Sequence, residues 1–414
     1  RDVQSRGRVQ NSMGPKNPPN PSPTNLHGFD QTSSPSNSPS SPLVDPSLFT
    51  SFLNNPIYGI TLPQWLLFLR QNLHHIQLLP FLPRILAISL FAALNSLLAL
   101  PDTLLYAARI AAQPLHPSPL IVLGHPRTGT TLLHNLLALA PKPHGFSTCT
   151  TFTAGFPSCF LTLEDALKPR LAPLLAETRP MDNMPLHFDL PQEDELATSV
   201  LAAGSSPYTS IHIMHRFRDH LPLNAFRTLD PPLPRAAGGG TYGAGGTAAA
   251  RGEGGGGERG EEERMGQALG RWRDAFVLLA KKLTLREVLR GGAPPPPPPP
   301  PLLLKSPCHT ARAHVFTGIF AAPRFVYIHR DPYAVFRSAL HMARTTYGFT
   351  YLAAPSDADV LAFVLEQYVV LWREYRRAWD DGVLTDENCV EVGYAELVGD
   401  PEAVLGRVYG RLGL

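Results

Sequence analysis

PLIVLGHPRTGTTLLHNLLALAP, running from Pro119 to Pro141, decides how the rest of the chain is read. Leu120 to Leu123 is a four-residue apolar run with the length of a buried strand, and Gly124 to Thr131 is a polar glycine turn. Leu132 to Ala140 then has the apolar face of a helix. Such a junction points free backbone N–H groups and the positive end of a helix dipole at one spot, which suits a phosphate or a sulfate. The hydroxyls of Thr128, Thr130 and Thr131 add donors around it. The stretch nearly fits the nucleotide loop G-x-x-x-x-G-K-[ST], with Gly124, Gly129 and Thr131 in place, but Thr130 stands where the lysine belongs. The cation of this loop is Arg127.

The same grammar recurs downstream. Leu302 to Leu304 reads as a strand, followed by Lys305 and then by Ser306 and Pro307 as N-cap and first residue of a helix. Arg324 to His329 is the next strand, followed by Arg330, the cap Asp331, Pro332 and a helix. A helix around Leu361 to Trp379, a strand from Cys389 to Val392 and a last helix complete the alternation. The pattern predicts an α/β fold, a P-loop NTPase-like parallel sheet flanked by helices, with ligands at the carboxyl ends of the strands. Arg127, Lys305 and Arg330 each directly follow a strand, so parallel neighbours would bring three cations together. That site suits a ligand with at least two anionic groups.

Composition bounds the remainder. Among 414 residues, 36 Lys+Arg against 34 Asp+Glu give a net charge of +2, so nothing global points to nucleic acid and anion binding must come from local clusters. Residues 1–45 are rich in Ser and Pro and are predicted to be disordered. Residues 46–115 form an apolar helical section that culminates in Ile85 to Leu100. That run is shorter than a membrane span, so a helix packed on the catalytic domain is the first expectation. A membrane-inserted or interfacial helix with Arg84 snorkelling at one end is the second.

The remaining domain, 116–414, is interrupted by low-complexity segments at 236–263 and 293–301, neither expected in a core. Between them, RWRDAFVLLAKKLTLREVLR, Arg271 to Arg290, reads as a helix with a basic, solvated outer face. The four cysteines lack metal-ligand spacing and are expected to be isolated thiols, with a Cys149–Cys159 disulfide as the alternative in an oxidising lumen. The chain starts at Arg1 without a methionine and stops at Leu414 just after a helical pattern, which reads as a truncated C-terminus. Localisation therefore stays open between membrane-associated, in an endomembrane, and cytoplasmic. Oligomeric state is not legible.

Pro191, Gln192, Glu193, Asp194 and Glu195 open a further helix. Acids in a first turn interact favourably with the helix dipole, and this is the bland explanation for them. Asp331 follows an apolar strand as a magnesium-binding aspartate would, but Arg330 before it and Pro332 after it suit a helix cap. No metal is expected.

Three segments, GHPRTGTTLL, LLLKSPCH and RFVYIHRDPYAVFRSAL, resemble in the same order the sulfotransferases that use 3′-phosphoadenosine 5′-phosphosulfate. Within them the chain looks most like the broad group with a PRTGTT loop and a P-x-E-D-E segment, and the resemblance covers Pro119 to Leu414 apart from the two insertions. It implies that Arg127, Thr128, Gly129, Thr130 and Thr131 hold the 5′-phosphosulfate, and that Arg330 and Ser338 hold the 3′-phosphate. Tyr394 would lie against the adenosine, although the family's Y-E-D-L segment reads Tyr-Ala-Glu-Leu here. Lys305 would contact the oxygen bridging sulfur and phosphorus, and Glu193 would be the catalytic base, with Glu195 and His187 as alternatives. His309 could also face the site, but a histidine at a helix start is more often structural.

The function so implied is sulfuryl transfer to a hydroxyl acceptor, and the apolar N-terminal section suits a hydrophobic or lipid-like alcohol. A P-loop kinase or NTPase is the alternative enzyme, and Thr130 in place of the lysine argues against it. A non-catalytic nucleotide-binding homologue is the alternative of another class.

Overall fold

Strands Leu120–Leu123 (β1), Ser147–Thr148 (β2), Leu302–Lys305 (β3), Arg324–His329 (β4) and Cys389–Gly393 (β5) form one parallel sheet in the order β2-β3-β1-β4-β5. The computed structural model describes residues 42–50, 55–140, 145–229, 256–291 and 299–414. Residues 1–41 of the segment predicted to be disordered lie outside the described residues, as do 236–255 and 293–298 of the two low-complexity segments.

Both faces of the sheet are covered, which is why its strands are continuous apolar runs. Side-chain alternation divides each strand between two cores. Leu120, Val122, Leu303, Val326 and Ile328 face one way, with Leu133 and Leu137 from the helix after the glycine turn. Ile121, Leu123, Leu302, Leu304 and Phe325 face the other way, with Trp272 and Phe276. The predicted α/β fold is the observed one. Register sets Val122 beside Lys305 and Leu123 beside Tyr327, so β1 lies between β3 and β4. Those three strands carry the predicted cations to one edge of the sheet.

Seven helices matter for the site and its support: α1 Leu62–Asn72, α2 Leu78–Ala112, α3 Thr130–Ala138, α4 Asp194–Leu201, α5 Gly256–Arg290, α6 Pro332–Thr346 and α7 Asp357–Asp380. The apolar run expected over Ile85 to Leu100 is the middle of α2, whose 35 residues include Pro83 and Pro101. Its polar residues point inward. Ser89 accepts from Trp65 Nε1 at 2.9 Å, Ser96 accepts from Leu62 N at 2.8 Å, and Asn95 donates to Tyr58 O at 2.6 Å. Arg84 does not snorkel to a surface: it is buried and donates to Tyr351 O at 2.6 Å and Leu48 O at 2.9 Å. Its guanidinium satisfies main-chain carbonyls, the cheaper arrangement for a buried cation.

Leucines occupy the outer face of α2, with Leu79, Leu90 and Leu104 each more than two thirds exposed. The helix is long and apolar enough to cross a membrane, and a third of its most apolar window is buried against the rest of the chain.

Two expectations about α5 change. The helix begins at Gly256, so the last eight residues of the low-complexity segment 236–263 are helical. Its basic face is only partly solvated: Lys282 is buried 2.9 Å from Asp102 of α2, and Arg286 is buried and donates to Thr148 O at 3.0 Å. These pairs tie α5 to α2 and to the sheet. The second segment also reaches the core, since Pro299 is buried and Pro301 O accepts from Ser147 N at 2.9 Å. All four cysteines are buried free thiols, so the Cys149–Cys159 disulfide is not formed. Burial pushes both of those thiols up to about 12.

Candidate active site

After β1 the chain turns at Gly124, whose φ of +149° no bulky residue adopts readily; a Cβ there would lie 2.8 Å from Ile328 O of β4. Thr310 pins this turn from the side, accepting from Gly124 N at 2.8 Å and donating to Gly124 O at 3.0 Å. Arg127 is left-handed at φ 73°, a strained conformation for an arginine of the kind that clusters at functional sites. Gly129 is left-handed as well, at φ +101°, and caps α3 without a side chain. The first-turn N–H groups of α3 and its dipole therefore face the mouth of the loop.

The loop's hydroxyls divide. Thr128 donates to His125 O at 2.8 Å and so faces into the turn, while Thr130 is buried. Thr131 faces the site, where its Oγ1 accepts from Lys305 Nζ at 3.4 Å and Arg179 Nη1 at 3.3 Å. Arg127 donates from Nε to Ser338 at 3.0 Å and from Nη1 to Asp182 at 2.9 Å. Arg330 donates to Arg127 O at 3.3 Å and stacks 4.2 Å above the ring of Tyr394. That ring closes on the loop, since a Cβ on Gly129 would lie 2.5 Å from Tyr394 Cδ2.

The three cations do meet at the loop, though not all by directly following strands. Only Arg330 does so; Lys305 is the last residue of β3, and Arg127 stands four residues beyond β1.

Glu193, Asp194 and Glu195 open α4 as expected, yet the dipole explanation does not describe their contacts. Glu193 is the N-cap but its side chain makes no cap hydrogen bond. Its carboxylate accepts from Lys305 Nζ at 2.9 Å and from the Tyr208 hydroxyl, which also lies 3.2 Å from Ser306 Oγ. Burial disfavours its ionisation, but Lys305, Tyr208 and Arg179 outweigh burial and hold the carboxyl below its usual 4.5. Asp194 accepts from His309 Nε2 at 2.6 Å and from Lys305 N at 2.8 Å, and so fixes the end of β3.

Glu195 lies in a fully buried pair, 2.7 Å from Arg312, and accepts from Trp272 Nε1 at 3.0 Å and Ser206 at 2.6 Å. Glu195 and His309 thus belong to the packing behind the site. His187 stands exposed on the loop before α4, outside the hydrogen-bonded set around Lys305.

Sequence reading missed Arg179, Asp182 and Tyr208. Arg179 and Asp182 lie on a turn closed by the antiparallel bridge Thr178–Pro185, with Arg179 N donating to Met184 O at 2.9 Å. Nothing periodic marks this segment, and an arginine before a proline carries no signal by itself. Tyr208 is brought to Glu193 only by the turn after α4.

Next to the loop, an apolar cavity of about 410 Å³ opens between α6 and α7, lined among others by Pro126, Tyr333, Phe336, Met342, Tyr347 and Tyr368. Burial pushes the hydroxyl of Tyr347 well up. Among the described residues no group of three His, Cys, Asp or Glu could hold a metal ion.

A parallel sheet with a glycine loop that carries Arg127 between β1 and α3, and with Lys305 at the end of β3, is a P-loop-like fold. A family model described as "Sulfotransferase family" matches residues 119–414, and the chain belongs to that family and is a sulfotransferase. Membership implies 3′-phosphoadenosine 5′-phosphosulfate as the sulfate donor. Two curated relatives, both named omega-hydroxy-beta-dihydromenaquinone-9 sulfotransferase Stf3, come from Mycobacterium bovis and Mycobacterium tuberculosis. Each is 27% identical over 322 residues, covering 77% of this chain and 69% of the relative. The crystal structure of sulfotransferase STF1 from Mycobacterium tuberculosis superposes with a TM-score of 0.54 at 15% identity, covering 88% of this chain and 85% of that one, a likeness of fold.

Proposed function

We propose that this sulfotransferase moves a sulfuryl group from 3′-phosphoadenosine 5′-phosphosulfate to the hydroxyl of a hydrophobic, lipid-like acceptor, without a metal. The observation that carries the reading is the pair of contact runs on the glycine loop, with Tyr394, Arg330, Arg127 and Ser338 on one side and Thr131, Lys305 and Glu193 on the other. Arg330 and Ser338 bind the 3′-phosphate, with Tyr394 against the adenosine. Arg127, Gly129, Thr130, Thr131 and the start of α3 bind the 5′-phosphosulfate, and Thr128 stiffens the loop through His125 O.

Transfer needs in-line placement, a proton acceptor and charge at the leaving group. A bond forms between the acceptor oxygen and sulfur as the bond from sulfur to the bridging oxygen breaks. Glu193 takes the hydroxyl proton, a task its ionised carboxylate suits. Lys305 meets the electron pair leaving on the 5′-phosphate, and Tyr208 holds the Glu193 carboxylate in line. His187, exposed and apart from Lys305, is the weaker candidate for proton transfer.

The acceptor class rests on the apolar cavity beside Pro126 and Tyr347 and on the menaquinone derivative in the names of the Stf3 relatives. Its apolar lining suits part of a long apolar chain rather than a sugar. Sulfate transfer from labelled donor to long-chain alcohols and to simple sugars, by wild type and Lys305→Ala, tests the proposal. Expected are transfer to alcohols and a kcat loss of roughly 100-fold or more in the variant. Transfer confined to sugars would remove the acceptor class, and an unchanged variant would remove Lys305 from the mechanism.

A further inference from the structure

The line of cations has a member that the donor site just described does not use. Arg179 reaches Thr131 Oγ1 at 3.3 Å, and Lys305 Nζ reaches the same oxygen at 3.4 Å. Asp182 bridges Arg179 to Arg127, with its two oxygens 3.3 Å from Arg179 Nε and 2.9 Å from Arg127 Nη1. All three side chains are about 85% buried, so each interacts in a medium that screens charge poorly. One carboxylate thus holds two guanidinium groups in a fixed relation, and Arg179 keeps further N–H groups for another partner.

Position along the line separates the two arginines. Arg127, placed at the 5′-phosphosulfate, leans on Ser338 and supports Arg330 through its carbonyl, toward the 3′-phosphate. Arg179 shares Thr131 with Lys305, which is paired with Glu193, on the side where the acceptor's proton leaves. The charge of Arg179 acts on both Lys305 and Glu193. A sulfuryl group lying between the leaving phosphate and the acceptor would therefore have Arg179 at its oxygens.

We propose that Arg179 is a catalytic residue that binds the oxygens of the transferring sulfuryl group, and that Asp182 is a positioning residue that sets Arg179 against Arg127. The proposal rests on the donor placement given above. It requires a contact made to the sulfuryl group and absent from the product nucleotide.

Adenosine 3′,5′-bisphosphate carries both phosphates but no sulfuryl group, so it separates the two kinds of contact. For Arg179→Ala, kcat is expected to fall roughly 100-fold while calorimetric affinity for the bisphosphate stays within about threefold of wild type. Arg179→Lys, which keeps the charge, recovers part of kcat. Asp182→Asn shows the same split with a smaller loss, and an unchanged kcat there would remove Asp182 from the arrangement. A bisphosphate affinity that falls in step with kcat would make Arg179 a phosphate ligand and overturn the proposal; so would an unchanged kcat. Should Arg179→Ala unfold, the kcat ratio of Arg179→Lys to Arg179→Gln reads the same contact, and equal values overturn it. Arg127→Ala, expected to weaken bisphosphate binding, serves as reference. A wild type that binds no bisphosphate would sink the donor placement itself, a distinct outcome.

Discussion

Glu193 and Glu195 stand two residues apart at one helix start and have opposite surroundings. Glu193 faces Lys305 and keeps a fifth of its side chain exposed, whereas Glu195 is sealed with Arg312. Glu193→Gln is therefore expected to lower kcat roughly 100-fold or more with an unchanged melting temperature. Glu195→Ala leaves Arg312 buried without its carboxylate and should cost about 3–5 kcal/mol in denaturant unfolding. A stable, inactive Glu195→Ala would reverse the two assignments. Gly129→Ala places a methyl against Tyr394 at a left-handed φ; bisphosphate affinity should drop at least about tenfold, and wild-type affinity would show that the ring does not close on the loop. At this scale the placement of Arg127, Lys305 and Arg330 was legible because each sits at the end of a strand or in the loop after one, whereas Ser338, within α6, was reached only through the family resemblance. Arg179 and Tyr208 were not legible, since only tertiary turns bring them in.

Among the elements, β4 was legible to the residue, from Arg324 to His329, and Asp331 does cap α6, accepting from Ala334 N at 2.7 Å. A short apolar run between a proline and a cap leaves little freedom. The extent of α2 was not legible, because Pro83 and Pro101 suggest ends that packing against α1 and α5 overrides. Its inward face mixes Phe81, Ile85, Ile88 and Ala92 with Ser89, Asn95, Ser96 and Asp102, while leucines point outward. Contiguous exposed apolar patches are the kind of surface that meets a membrane or another protein. Replacing Leu86, Leu90 and Leu97 with Gln should leave stability within about 0.5 kcal/mol and sharply reduce cosedimentation with phosphatidylcholine vesicles. Undiminished cosedimentation would show that this face does not meet lipid.

For the whole molecule, buried histidines contribute to the response to acid. Burial lowers His125 to about 4, His134 to about 3 and His212 to about 4. The unfolded chain, with histidines near 6.5, therefore takes up protons first as pH falls. Their stabilisation is complete above pH 6.5 and declines below it until the folded values are reached. Each should lose roughly 1 kcal/mol by pH 5.5, visible as a lower urea midpoint than at pH 7.5; equal midpoints would contradict the burial of these rings.

In the function proposed above, the lysine-free loop at the sheet and the pair Arg330 and Ser338 make one donor site, and ligand choice tests it most directly. Calorimetry should show adenosine 3′,5′-bisphosphate binding far more tightly than ATP with magnesium, with Arg330→Ala removing most of the difference. Preference for ATP with magnesium would contradict it.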